Sequence, residues 1–146
     1  MTVPTRISIV TFGVADLERA TGFYESLGWT KSSASMPTIT FFDTVGPVFG
    51  LYEWSALADD AHLPSEGAGF RGVTLAMNLA STDEVDAVFA EWLAAGATSV
   101  VEPHTAFWGG YSSYVADLDG HLWELAHNPY ASLDADGRLV MGGSSD

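Results

Sequence analysis

Cysteine is absent from the 146 residues, which excludes disulfides, thiolate metal sites and a cysteine nucleophile while leaving the redox compartment open. Basic residues are scarce: five Lys and Arg stand against nineteen Asp and Glu, a formal net charge of −14. Such a surface repels a phosphate backbone, and without a basic stripe nucleic acid is not expected as a partner. No apolar run approaches the length of a bilayer span, and Met1-Thr-Val-Pro-Thr-Arg6 lacks a long apolar stretch. A cytoplasmic protein with no membrane partner is the expectation. No phosphate-cradling glycine motif and no Ser-His-Asp spacing supports nucleotide chemistry or nucleophilic hydrolysis.

What is present suffices for one sizeable core, since 47% of the residues are hydrophobic. Arg6 to Val14 reads as a strand, Asp16 to Leu27 as a helix, and Trp29 to Glu53 as further short strands. The order recurs with a strand at Arg71 to Leu79, a helix between Ser81 and Ala95, and three more strand candidates from Thr98 to Ala126. Both helices carry apolar residues at helical spacing: Leu17, Ala20, Phe23, Tyr24 and Leu27, then Val85, Val88, Phe89, Trp92 and Leu93. Gly28 and Gly96 close them at matching points, and Ser81 with Glu84 has capping-box spacing. Residues 55–69, rich in Ala, Asp, Gly and Ser, read as a surface connection. The expected plan is one domain over 1–146: a first β-α-β-β-β module (6–54), a linker (55–69), a second module (70–127) and a C-terminal extension (128–146). The extension holds a small hairpin, Tyr130 to Leu133 and Arg138 to Met141, and Gly142 to Asp146 is expected to be mobile.

The run Tyr111-Ser-Ser-Tyr-Val-Ala-Asp-Leu-Asp-Gly-His-Leu-Trp-Glu124-Leu125 predicts a strand, an Asp-Gly turn and a second strand. Alternation then sets Glu124 on one face with Leu122 and turns His121 and His127 away. A carboxylate among apolar neighbours is a candidate functional group; the bland alternative is an edge glutamate reaching solvent. His62 reads as a surface histidine in the linker. Of the tryptophans, Trp92 and Trp123 read as core and Trp29 is left open, whereas Gly109 and Gly110 beside Trp108 suggest an exposed turn.

These residues resemble the vicinal oxygen chelate superfamily of glyoxalase, dioxygenase and bleomycin-binding proteins. The likeness rests on Val14-Ala-Asp-Leu17, Phe23-Tyr24, Leu27-Gly28, Phe107-Trp-Gly-Gly-Tyr111 and Asp117-Leu-Asp-Gly-His-Leu-Trp-Glu-Leu125, over roughly residues 6 to 130. It implies an α+β fold in which two tandem βαβββ modules form a curved mixed sheet around a cleft, and it implies a homodimer. Leu118 stands where the family usually has Pro, a harmless change because the Asp-Gly pair remains.

Metalloenzymes of the family take a His from the first strand of each module and a Glu from the last strand of the second. The matching positions here are Ile9, Thr74 and Glu124, and a fourth position used by some members falls near Gly50. Only Glu124 fits, so no metal or other cofactor is expected; the alternative is a divalent Zn, Ni, Mn or Fe ion held by Glu124 and His104. The pocket survives that loss. Ile9 and Thr11 in one module, with Thr74, Ala76, Asn78, Leu122 and Glu124 in the other, form a mostly apolar ligand-binding set. His104 is placed at its mouth, and Trp54, Phe70, Phe107, Trp108, Tyr111 and Tyr114 give it an aromatic rim.

The resulting expectation is a metal-independent binding protein that sequesters an aromatic metabolite or antibiotic, cationic or neutral, resembling the bleomycin-resistance branch. The alternative is a glyoxalase- or dioxygenase-type enzyme in which Glu124 is catalytic, with a relocated metal or as a lone acid-base residue. A third possibility is a partner-binding module.

Overall fold

In the computed structural model, residues 3 and 5–141 are described, and the expected mobile tail at 142–146 lies outside them. The chain divides into two compact units, residues 1–68 and 69–146.

The first unit runs β1 (Ile9–Val14), α1 (Leu17–Ser26), β2 (Ile39–Phe42), β3 (Val48–Glu53) and α2 (Trp54–Asp60). Its sheet has the order β1-β3-β2, with β1 parallel to β3 and β2 antiparallel to it. Asp16 caps α1 by accepting from the Arg19 amide at 3.0 Å, and Gly28, at φ 92°, follows the helix in the left-handed conformation glycine adopts without cost. Even-numbered residues of β1 and β2, Phe12, Val14, Thr40 and Phe42, with Phe49 and Leu51 of β3, are buried along with Ala20, Thr21, Phe23 and Tyr24 of α1. The core is largely aromatic. Tyr24 meets Phe49 edge-on at 4.9 Å, and Trp29 meets Phe49 at 5.6 Å, which places Trp29 in this cluster. The buried Thr21 and Thr40 hydroxyls satisfy each other at 2.7 Å.

The second unit runs β4 (Leu75–Asn78), α3 (Thr82–Ala94), β5 (Thr98–Thr105), β6 (Tyr111–Ala116), β7 (Leu122–His127) and a terminal hairpin, β8 (Ser132–Leu133) with β9 (Leu139–Val140). Its main sheet has the order β4-β7-β6-β5. This is the first sheet's plan with one strand added: β4, β7 and β6 take the places of β1, β3 and β2. The counterpart of β5 in the first unit shrinks to an isolated bridge between Lys31 and Phe42. The architecture is therefore α+β, from two modules of related topology.

Both helix readings hold to within a residue. The Ser81 hydroxyl accepts from the Glu84 amide at 3.1 Å, although the Glu84 carboxylate reaches back to the Ala80 amide rather than to that of Ser81. Two readings need correction. The opening strands are shorter than expected, beginning at Ile9 and Leu75, because their ladders start at Ile9 with Val48 and at Leu75 with Trp123. Residues 55–69 are not all connection, because α2 fills the first part of that stretch. Glu53 caps it by accepting from the Ser55 and Ala56 amides, and Ala56, Leu57 and Ala58 are strong helix formers.

Leu51 is fully buried at the centre of the first sheet. Leu51→Ala should therefore cost about 2–5 kcal/mol, measured by urea unfolding of the full chain; a loss below about 1 kcal/mol would contradict this packing.

Candidate functional site

The chemistry-bearing side chains of the second unit are sorted by strand alternation. Trp123 and Leu125 of β7 are buried with Val85, Phe89 and Trp92 of α3, and the Trp92 and Trp123 rings lie 5.3 Å apart. Burying those two residues turns Leu122 and Glu124 to the sheet's other face. Directly across from Glu124 lie Tyr114 on β6 and Ala76 on β4. The Asp117 carboxylate, itself buried, fixes the β6–β7 turn by accepting from the Asp119 and His121 amides, both at 2.9 Å.

Glu124 is held by a neighbour that sequence reasoning passed over. The Ser112 hydroxyl donates to Glu124 Oε2 at 2.7 Å, and Ser112 is itself buried. Oε1 has no hydrogen-bond partner among the described residues. One carboxylate oxygen is thus fixed while the other remains available as an acceptor. The signal for Ser112 was its parity: it lies two residues from Tyr114 and so shares that residue's face. His104 pairs across β5–β6 with Ser112, which brings it to the same face, and its Nδ1 is bonded to the Glu102 carbonyl at 3.0 Å. His104, Ser112, Tyr114, Leu122, Glu124 and Ala76 therefore share one surface.

Other candidates go elsewhere. Tyr111 does not join the rim, because three residues from Tyr114 it takes the opposite face, where its hydroxyl donates to Asp86 of α3 at 2.8 Å. Thr74 lies just before the β4 ladder and is exposed, as is Phe70. Asn78 ends β4 opposite Ala126. Phe107 and Trp108 occupy the β5–β6 turn, Phe107 wholly exposed and Trp108 folded back over Gly110. A Cβ at Gly110 would fall 1.8 Å from the Trp108 ring, so glycine is what lets that ring lie on the backbone. His121 is in the turn, and the His127 Nδ1 bonds the Leu79 carbonyl at 3.0 Å.

In the first unit, Ile9 and Thr11 lie on the β1 face opposite the buried Phe12, with Ile9 exposed and Thr11 half-buried. Trp54 packs against Gly13, two residues further on this face, and its Nε1 donates to the Ser65 carbonyl at 3.1 Å. Gly50 holds the place that Glu124 holds in the second sheet, paired with Thr11 and Phe41 as Glu124 is with Ala76 and Tyr114. Only backbone is available there.

A durable divalent site needs about three protein donors and an open position. Ile9 and Thr74 occupy the positions that the resemblance assigns to imidazole. Among the described residues no group of three His, Cys, Asp or Glu comes together. Glu124 and His104 supply two donors, a set that does not fit Zn, Ni, Mn or Fe.

Comparison with known proteins matches residues 6–125 to the model of the Glyoxalase/Bleomycin resistance protein/Dioxygenase superfamily. The chain is similar to a glyoxalase-related enzyme from Fulvimarina pelagi, at 30% identity and a TM-score of 0.84 over 96% of this chain and 100% of that one. It is also similar to a glyoxalase/bleomycin resistance protein/dioxygenase from Nocardioides, at 25% identity and a TM-score of 0.71 over 87% of this chain and 85% of that one. A family enzyme from Burkholderia phytofirmans shares the fold at 20% identity and a TM-score of 0.76, over 84% of this chain and 98% of that one. No curated protein matches.

The pKa of Tyr111 is raised above the ordinary 10.0, first because its hydroxyl donates to the Asp86 carboxylate, then by desolvation and the charges of Asp86 and Asp83. The folded value exceeds the unfolded one, so the stability contributed is complete below about pH 10 and is lost as pH climbs through the raised value. Asp86→Asn should move this tyrosine's alkaline titration down, read by phenolate absorbance against Tyr111→Phe. Identical curves for the parent protein and Asp86→Asn would contradict the pairing.

Proposed function

The chain belongs to the Glyoxalase/Bleomycin resistance protein/Dioxygenase superfamily, and within it we propose a metal-independent protein that binds an aromatic, cationic small molecule. The observation that carries this reading is the Glu124 carboxylate, fixed through Oε2 by Ser112 and open at Oε1, beside Tyr114 and Leu122. An ammonium or amidinium group satisfies the free oxygen, and a flat apolar body covers the tyrosine and leucine. The net charge of −14 draws cations toward the protein. Sequestration of a metabolite or antibiotic is the function this implies, by a cytoplasmic homodimer as is common in the family. Ala76 and His104, which share the Glu124 face, are the further proposed ligand contacts. Among the described residues no helix is long and apolar enough to cross a membrane.

One observation favours a second reading. The Fulvimarina pelagi relative, matched along its whole length, is a glyoxalase-related enzyme. An enzymatic role here would rest on Glu124 as an acid-base group, with the free Oε1 as the atom that takes or returns a proton.

Phenethylammonium should bind the full chain saturably, and phenylacetate, its anionic counterpart, should not. Glu124→Gln should weaken phenethylammonium about 10- to 100-fold, the range for losing a charge-assisted hydrogen bond, with calorimetry as the readout. After supplementation with Zn, Ni, Mn or Fe and dialysis, elemental analysis should find no stoichiometric metal. Retention at full occupancy would overturn metal independence, and equal binding of both probes would overturn the role of Glu124.

A further inference from the structure

A cavity lies at the end of the β4 and β7 strands, lined in part by the terminal hairpin. Its volume is about 180 Å³, room for a single ring, and it is partly open to solvent. Leu133 and Leu139 are direct cross-strand partners in the hairpin and both line it, with Leu79 from the segment after β4. Asn78, His127 and Ser132 supply the polar lining. Among the described residues no acid lines this cavity to pair with a cation, and the net charge of −14 repels anions, so the site suits a neutral molecule.

His127 gives the cavity its chemical preference. The Nδ1 lies 3.0 Å from the Leu79 carbonyl, which has no hydrogen to give, so Nδ1 must carry the proton. In the neutral ring the lone pair is then on Nε2. That nitrogen has no partner among the described residues. Nor does any buried polar side-chain atom there lack one, so Nε2 must be accessible. The backbone holds this arrangement in place: the Leu79 amide donates to the Ala126 carbonyl at 2.8 Å, and the Asn128 side chain accepts from the Tyr130 amide at 2.9 Å.

We propose that this cavity binds a neutral single-ring molecule bearing a hydroxyl, the phenol class, with the ring among Leu79, Leu133 and Leu139 and the hydroxyl donated to His127 Nε2. The site is separate from the Glu124 surface and does not rest on the reading of that surface. Dedicated recognition of a hydroxyl distinguishes it from a merely apolar hole, which would take any ring of the right size.

The test is an NMR titration of the full-length ¹⁵N-labelled chain with phenol and, in parallel, toluene. Phenol should produce saturable shifts at the amides of Leu79, His127, Leu133 and Leu139 and at the His127 Nε2 resonance. Toluene should bind about two- to tenfold more weakly, as expected for one missing hydrogen bond. Leu139→Trp, which fills the cavity from the surface hairpin, should abolish the phenol shifts, and Glu124→Gln should leave them intact. His127→Phe keeps the cavity but removes the acceptor, so it should make phenol and toluene equivalent. Phenol shifts confined to the Glu124 surface, an absence of saturable shifts, or equal affinity for phenol and toluene in the parent chain would each overturn the proposal.

Discussion

Alternation along β7 is the constraint on which the proposed site depends. Trp123 and Leu125 are apolar and pack with α3, so the register of the strand is held by burial of two large side chains. A slip of one residue would expose both and drive Glu124 into the core, at a cost of several kcal/mol for each misplaced group. Placement of the carboxylate on the other face is therefore a consequence of core packing. Ser112 refines it, fixing one oxygen and leaving the other exposed to whatever approaches.

The two units show what a shared topology preserves and what it releases. Each sheet sets a parallel first strand beside its last strand and an antiparallel strand on the other side. At matching points of that pattern stand Gly50 with Thr11 and Phe41, and Glu124 with Ala76 and Tyr114. The first position offers no side chain and the second a held acid. What the second unit's position presents is one carboxylate beside an aromatic ring. The family places the fold; the donor set decides what that fold can do here.

Much of this was legible in the residues. Asp16 and Ser81 announced their helices, Gly28 and Gly96 ended them, and the Asp117 turn with its flanking alternation placed Glu124 on the correct face. Other features were hidden for identifiable reasons. Composition groups Tyr111 with Tyr114, although three residues along a strand put them on opposite faces. Ser112 lacked prominence because a hydroxyl beside a carboxylate matters only once cross-strand register is known. The helix α2 was masked by a linker-like composition and by a glutamate, rather than Ser, Thr, Asp or Asn, at its cap. The shortened β1 and β4 followed from where their partners' ladders begin, which a single strand's sequence does not encode.

The most direct measurement is a crystal structure of the full chain grown with both phenethylammonium and a divalent metal such as nickel. The account predicts the ligand nitrogen within hydrogen-bond distance of Glu124 Oε1, Ser112 still donating to Oε2, and no cation bound to that carboxylate. A fully occupied metal coordinated by Glu124, with the ammonium absent, would contradict it.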